Sequence, residues 1–138
     1  MKKTISVMLS LLLVLCLLSC GVAKEAGEWE TATYQEDTEL GSGARTAIVE
    51  VEAPERSVTF TVRTDKETVG EALMEHELID GEQAEYGLYV KAVNGTVADY
   101  DTDKSYWAFY IDGEYAMTGV ERTPIDERQR YQLVYTKG

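Results

Sequence analysis

The chain has 138 residues, with 25 acidic side chains against 13 basic ones, a formal charge of −12 and two cysteines. That length allows one ordinary domain and little more. The charge argues against nucleic acid and against adsorption to anionic lipid headgroups, both of which select Lys and Arg clusters. In chain order, residues 1–19 read as a secretory signal: Lys2 and Lys3 precede an apolar run from Ile5 to Leu18 that only Ser6 and Ser10 interrupt. The run is short for a spanning helix. Losing it takes the charge to about −14. Residues 20–45 carry mostly Gly, Ala, Ser, Thr and Glu, with Trp29, Tyr34 and Leu40 as the larger apolar side chains. Such a segment buries too little to offset its ordering entropy and reads as a flexible tether.

The globular part is expected over residues 46–138. Ala47 to Glu52 and Ser57 to Arg63 alternate as strands, with Val58, Phe60 and Val62 facing one way, joined across Pro54. Thr68 and Glu71 form a capping box that opens a helix from Val69 to about Leu78, stopped by Asp80-Gly81. Its stripe of Val69, Ala72 and Leu73 must cover one sheet face. Gly87 to Val93 alternates next, and Asn94-Gly95 turns the chain into Thr96 to Ala98. Asp99 to Lys104 reads as a polar loop. The clearest hairpin follows: Ser105 to Ile111 puts Trp107, Phe109 and Ile111 on one face and Tyr106, Ala108 and Tyr110 on the other, and Asp112-Gly113 suits a type I′ turn. After Met117–Val120 and a Pro124 connection, Arg130 to Thr136 is the last strand. The pattern predicts an α+β, β-grasp-like domain, with one helix packed on a mixed, mostly antiparallel sheet.

The signal ends in Leu17-Leu18-Ser19-Cys20-Gly21, which resembles the lipobox of bacterial lipoproteins. The resemblance implies a diacylglycerol on the Cys20 sulfur and attachment to the extracytoplasmic face of the cell membrane, since buried acyl chains bind at ~0.8 kcal/mol per methylene. The alternative is an ordinary secretory signal with a coincident cysteine. Cys16 leaves with the signal, so no disulfide framework or thiolate metal site is expected in the mature chain.

A second resemblance rests on Tyr106-Trp107-Ala108-Phe109, Gly113-Glu114-Tyr115-Ala116, Gly119-Val120, Pro124-Ile125 and Tyr131 to Tyr135, with Thr68 to Leu73 and Val93-Asn94-Gly95 before them. These residues resemble a domain of unknown function common in lipoproteins and surface proteins of Gram-positive bacteria. That family is similar to the C-terminal domain of transcobalamin and intrinsic factor. It implies a soluble-ligand-binding β-grasp fold over residues 46–138, with ligand contacts at the positions matching Tyr106, Trp107, Met117, Thr118 and Gly119. Two departures stand out. The turn Asp126 to Arg130 lacks the glycine common there, and the large helical domain of the animal proteins has no counterpart.

Read as residues, Trp107 shares its face with Phe109 and Ile111 and suits a core position better than a ligand platform. Tyr106 and Tyr110 suit either a recognition surface or cross-strand aromatic packing. His76, the single histidine, is a boundary residue at the helix end, not a metal site. Asp99, Asp101 and Asp103 resemble a calcium loop, but Lys104 stands where the turn glycine belongs and Tyr110 where the bidentate Glu belongs. With no nucleophile and base pairing in view, no enzyme, cofactor or metal is expected. The expected function is a membrane-anchored extracytoplasmic ligand-binding module at Tyr106, Trp107, Tyr110, Met117, Thr118 and Gly119, for a corrinoid or similar planar compound passed to a transporter. The competing expectation is a surface protein-interaction or adhesion module without a small-molecule ligand.

Overall fold

The computed structural model describes residues 31–85 and 87–138. The signal, Cys20 and Trp29 lie outside them. Two sheets and one main helix make up the fold. The larger sheet is six-stranded, in the order β1 (Thr38–Gly41), β3 (Ser57–Thr64), β2 (Arg45–Glu52), β9 (Arg130–Lys137), β7 (Ser105–Ile111), β8 (Glu114–Tyr115). The smaller is three-stranded: β4 (Ile79–Ala84), β5 (Gly87–Val93), β6 (Thr96–Val97). The main helix, α1, spans Val69–Glu75, and a one-turn helix, α2, spans Tyr100–Asp103.

Register follows from the alternation. Val49 lies between Phe60 and Tyr131, with Ile111 beyond, while Val51 lies between Val58 and Leu133, with Phe109 beyond. These rows put Val49, Val51, Val58, Phe60, Val62, Trp107, Phe109, Ile111, Tyr131, Leu133 and Tyr135 on one face, with Ile48 and Val134 on the other, and on the first face Phe60 and Tyr131 are wholly buried. Phe109 stacks on Tyr131 with ring centres 6.2 Å apart, and Trp107 meets Tyr135 edge-on at 5.6 Å. The buried stripe Val69, Ala72 and Leu73 of α1 belongs to the same core, as the helical spacing predicts. Thr68 caps the helix by accepting the Glu71 amide at 3.2 Å, and its hydroxyl donates to the Glu71 carboxylate at 3.0 Å. Both predicted I′ turns form: Asn94 and Gly95 have φ of 51° and 81°, Asp112 and Gly113 of 50° and 82°.

Three expectations change. The domain begins well before residue 46: β1 adds in parallel to the edge of β3, and Tyr34 packs edge-on against Phe60 at 5.6 Å. The buried Asn94 side chain accepts the Tyr34 amide at 2.9 Å and donates to the Tyr34 carbonyl at 2.7 Å. The tether reading therefore fails for residues 31–45, because backbone pairing to an open strand edge orders a segment with few apolar side chains. The helix stops at Glu75 instead of Leu78: Glu77 turns left-handed at φ 56°, and the Leu78 amide returns to the Leu73 carbonyl at 2.8 Å. Asp80-Gly81, expected as the stop, lies inside β4 at a bulge against β5. The polar loop at Asp99 to Lys104 winds into α2, capped by the Asp99 carboxylate and closed by Lys104 at φ 61°.

Candidate functional site

β7 pairs with β8 only through Tyr110–Tyr115 and Ile111–Glu114. Its earlier half therefore borders a cleft of about 390 Å³ between the two sheets. Trp107, Phe109 and Leu133 form the floor, Leu88, Tyr89 and Val90 of β5 one wall, and Tyr115 to Val120 the lip, with Tyr106 at the rim. No lining side chain is charged, in a chain that is 28% Asp, Glu, Lys and Arg. Such a surface recognises by shape, aromatic faces and a few hydroxyl and backbone groups.

The floor is rigid because it belongs to the core. Trp107 is 7% exposed, and its indole nitrogen donates to the Thr96 carbonyl at 3.1 Å, fixing the ring between β7 and β6. Core residue and cleft floor are thus the same side chain. The lip is held at both ends and at Thr118, whose hydroxyl lies 3.2 Å from that of Thr123. The Ala116 amide donates to the Phe109 carbonyl at 2.9 Å, and the Thr123 hydroxyl donates to the Gly119 carbonyl at 2.9 Å. Between them Met117 is 93% exposed.

Below the lip, α1 grips the chain. The Val69 amide donates to the Thr123 carbonyl at 2.9 Å, and the Ile125 amide to the Glu67 carbonyl at 3.0 Å. A Cβ on Gly70 would stand 2.7 Å from the Glu121 backbone, so only glycine lets the helix lie this close to the 3₁₀ turn Val120–Arg122. Glu121 then ties the two walls together, its carboxylate accepting the Leu88 amide at 2.6 Å. Gly87, at φ 115°, leaves room for that carboxylate.

All but one of the predicted ligand residues meet here: Tyr106, Trp107, Met117, Thr118 and Gly119 line the cleft. Tyr110 does not. It points to the open face of the large sheet and packs edge-on against Tyr115 at 5.7 Å, which answers to the cross-strand alternative. Tyr106 and Tyr110 are both half-buried. Sequence reasoning missed the β5 wall and Glu121. Tyr89, exposed in mid-strand, was the available signal, but nothing local says which strand will face it.

Other candidates fall elsewhere. His76 caps α1, with Nε2 4.0 Å from the Glu75 carboxylate and no hydrogen-bond partner. The Asp99 carboxylate accepts the Asp101 amide at 3.1 Å, and that of Asp103 accepts the Ser105 hydroxyl and, at 3.0 Å, the Ser105 amide, which together hold Asp103 below the usual carboxylate range. Among the described residues no three His, Cys, Asp or Glu side chains converge as a metal site. The turn without its glycine keeps negative φ throughout Asp126 to Arg130: the Asp126 carboxylate accepts the Arg128 amide at 2.9 Å, and the Asp126 amide donates to the Tyr131 hydroxyl at 2.9 Å. An Asx turn does the work of the glycine.

Comparison with known proteins agrees with this architecture. Residues 66–137 match the family described as a domain of unknown function, DUF4430, and the chain belongs to that family. No curated protein matches it. Among solved structures, one from Ruminococcus gnavus, described as a "putative metal binding protein", is 29% identical with a TM-score of 0.64, covering 69% of this chain and 99% of its own. Haptocorrin in complex with Cbi shares the fold at 16% identity and a TM-score of 0.55, over 71% of this chain. This chain spans only 26% of haptocorrin.

Proposed function

We propose that this protein is a non-catalytic, extracytoplasmic ligand-binding module, anchored to the membrane through lipid on Cys20, that holds a corrinoid or similar planar compound in the cleft between β5, β7 and the Tyr115–Val120 lip. We read its fold as a β-grasp, α1 being held against the curved face of the larger sheet. The observation that carries the ligand reading is the composition of the cleft. Aromatic faces, a pliable thioether and exposed backbone are gathered into one uncharged recess. The neighbours support the coarser statement of a small-molecule ligand, one being described with a metal and the other with Cbi. An uncharged lining supports a binding role over an acid–base one. The anchor rests on the Leu17 to Cys20 match, and among the described residues no helix is long and apolar enough to cross a membrane.

Visible-absorbance titration with cobalamin and cobinamide tests the ligand. Binding that weakens roughly ten-fold or more in a Tyr106→Ala, Met117→Ala double variant, with the thermal melt little changed, is the expected result. No binding by the wild type up to about a millimolar would favour the second reading, an interaction module. That reading draws on the exposed Tyr89, Tyr100, Tyr115 and Met117. For the anchor, Cys20→Ala should leave the membrane fraction. Retention there with the signal removed would refute the lipid attachment.

A further inference from the structure

A second groove, of about 690 Å³, lies where β4, β5 and β6 meet α2. It is lined by apolar surface that folding leaves in water: Tyr89 is 41% exposed, Tyr100 48% and Val97 63%. Exposed apolar groups gathered in one recess, in an otherwise highly charged chain, mark a contact surface. Its polar groups are acceptor-rich. Glu82 and Asp101 line it alongside one ammonium, Lys91, which is 3.1 Å from the Glu82 carboxylate.

Tyr100 is fixed in place before anything binds. The Asp99 carboxylate caps its turn, accepting the Asp101 amide and, at 2.9 Å, the Thr102 hydroxyl. Left-handed Lys104 closes the turn, its amide donating to the Tyr100 carbonyl at 3.0 Å and its Nζ standing 4.8 Å from the ring centre. Tyr106 meets the same ring edge-on at 6.5 Å. A preset aromatic plane loses little entropy on binding.

The ligand must therefore offer a flat apolar face to tyrosine and, at its rim, donors for carboxylates. A purely apolar ligand would strip water from Glu82 and Asp101 without replacement. An anion would meet the wrong charge. A pyranose fits both demands, since its axial C–H face stacks on an aromatic ring and its neighbouring hydroxyls donate in pairs to a carboxylate. We propose that this groove is a saccharide-binding site, selective for neutral or amine-bearing pyranosides over acidic ones. Tyr100 and Asp101 do not line the cleft, although Tyr89 lines both recesses and the cleft residue Tyr106 packs on Tyr100, so Asp101 is the position at which the two readings part.

The test is calorimetric titration of the mature chain with cellotetraose, maltotetraose, chitotetraose and tetrameric glucosamine, with tetragalacturonate as the acidic control. At least one neutral or amine-bearing tetramer should bind with Kd between about 10 μM and 1 mM, and the acidic one should not. Tyr100→Ala should weaken binding ten-fold or more while Tyr100→Phe retains most of it, and Asp101→Asn should weaken the glucosamine tetramer most. Corrinoid titration of Asp101→Asn should be unchanged, which separates failure here from failure at the cleft. Silence from every sugar up to about 10 mM, or equal binding by wild type and both Tyr100→Ala and Asp101→Asn, would overturn the proposal.

Discussion

The floor of the cleft and its lip are built on opposite terms. The floor is the edge of a core in which Phe60, Val49 and Tyr131 are fully buried and paired across three strands, so its shape is set by close packing that tolerates little change. The lip from Tyr115 to Gly119 has a backbone tie at each end and, in the middle, a methionine almost entirely in solvent. A ligand arriving here meets a fixed aromatic base and a cover that adjusts around it. Stability and recognition are thereby assigned to different side chains, except at Trp107, Phe109 and Leu133, which serve both.

The sharpest way to break the contrast is in the core behind the floor. Phe60→Ala removes a fully buried ring from the middle row and should cost ~3–5 kcal/mol in denaturant unfolding. Beneath the lip, Gly70→Ala should cost ~1–3 kcal/mol by the same measurement. Its methyl meets the Glu121 backbone at 2.7 Å and must push the helix and the 3₁₀ turn apart. Because that turn roots the lip, cleft affinity should fall as well. Tyr131→Phe removes a hydroxyl that donates to the Pro124 carbonyl at 3.0 Å and accepts the Asp126 amide, and should cost ~1 kcal/mol.

At the lip the expected effect is nearly nil. Met117→Ala should change stability by no more than about 0.5 kcal/mol while weakening the cleft's ligand. The smallest effect concerns pH. Arg128 beside Asp126, and Ser105 beside Asp103, hold those carboxyls below their usual range. A depressed folded value means the stabilisation is present above the unfolded value near 3.8 and is lost as pH falls through the folded one. Melts of wild type and Asp126→Asn should therefore converge only in strong acid. Tyr131 runs the other way: burial raises its phenol above the usual 10.0, so its contribution fades as pH climbs from there towards the folded value.

How much of this was legible beforehand depended on the range of the force involved. Two-residue turns at Asn94-Gly95 and Asp112-Gly113, the Thr68 cap, and the alternation of Val58, Phe60 and Val62 are decided by sterics and hydrogen bonds within a few residues, and each is as predicted. Asp80-Gly81 looked like a helix stop by the same local rules, yet pairing with β5 drew it into a strand. Residues 31–45 carry too few apolar groups to announce a place in the domain, and only the open edge of β3 and the side chain of Asn94 gave them one.

The amino-acid sequence alone determined strands β2, β3, β5, β6, β7 and β9, the helix stripe and the face Trp107 shares with Phe109, and its family resemblance supplied Tyr106 and Met117 to Gly119 as candidate ligand residues. Tertiary structure decided that these residues share one recess with Leu88, Tyr89 and Val90, that Tyr110 is left outside it, and that Glu121 joins the walls. The reason is physical. Periodicity and turn chemistry act along the chain, whereas a cleft exists only where a sheet edge, a second sheet and a clamped loop, distant in sequence, are brought together by burying a common core.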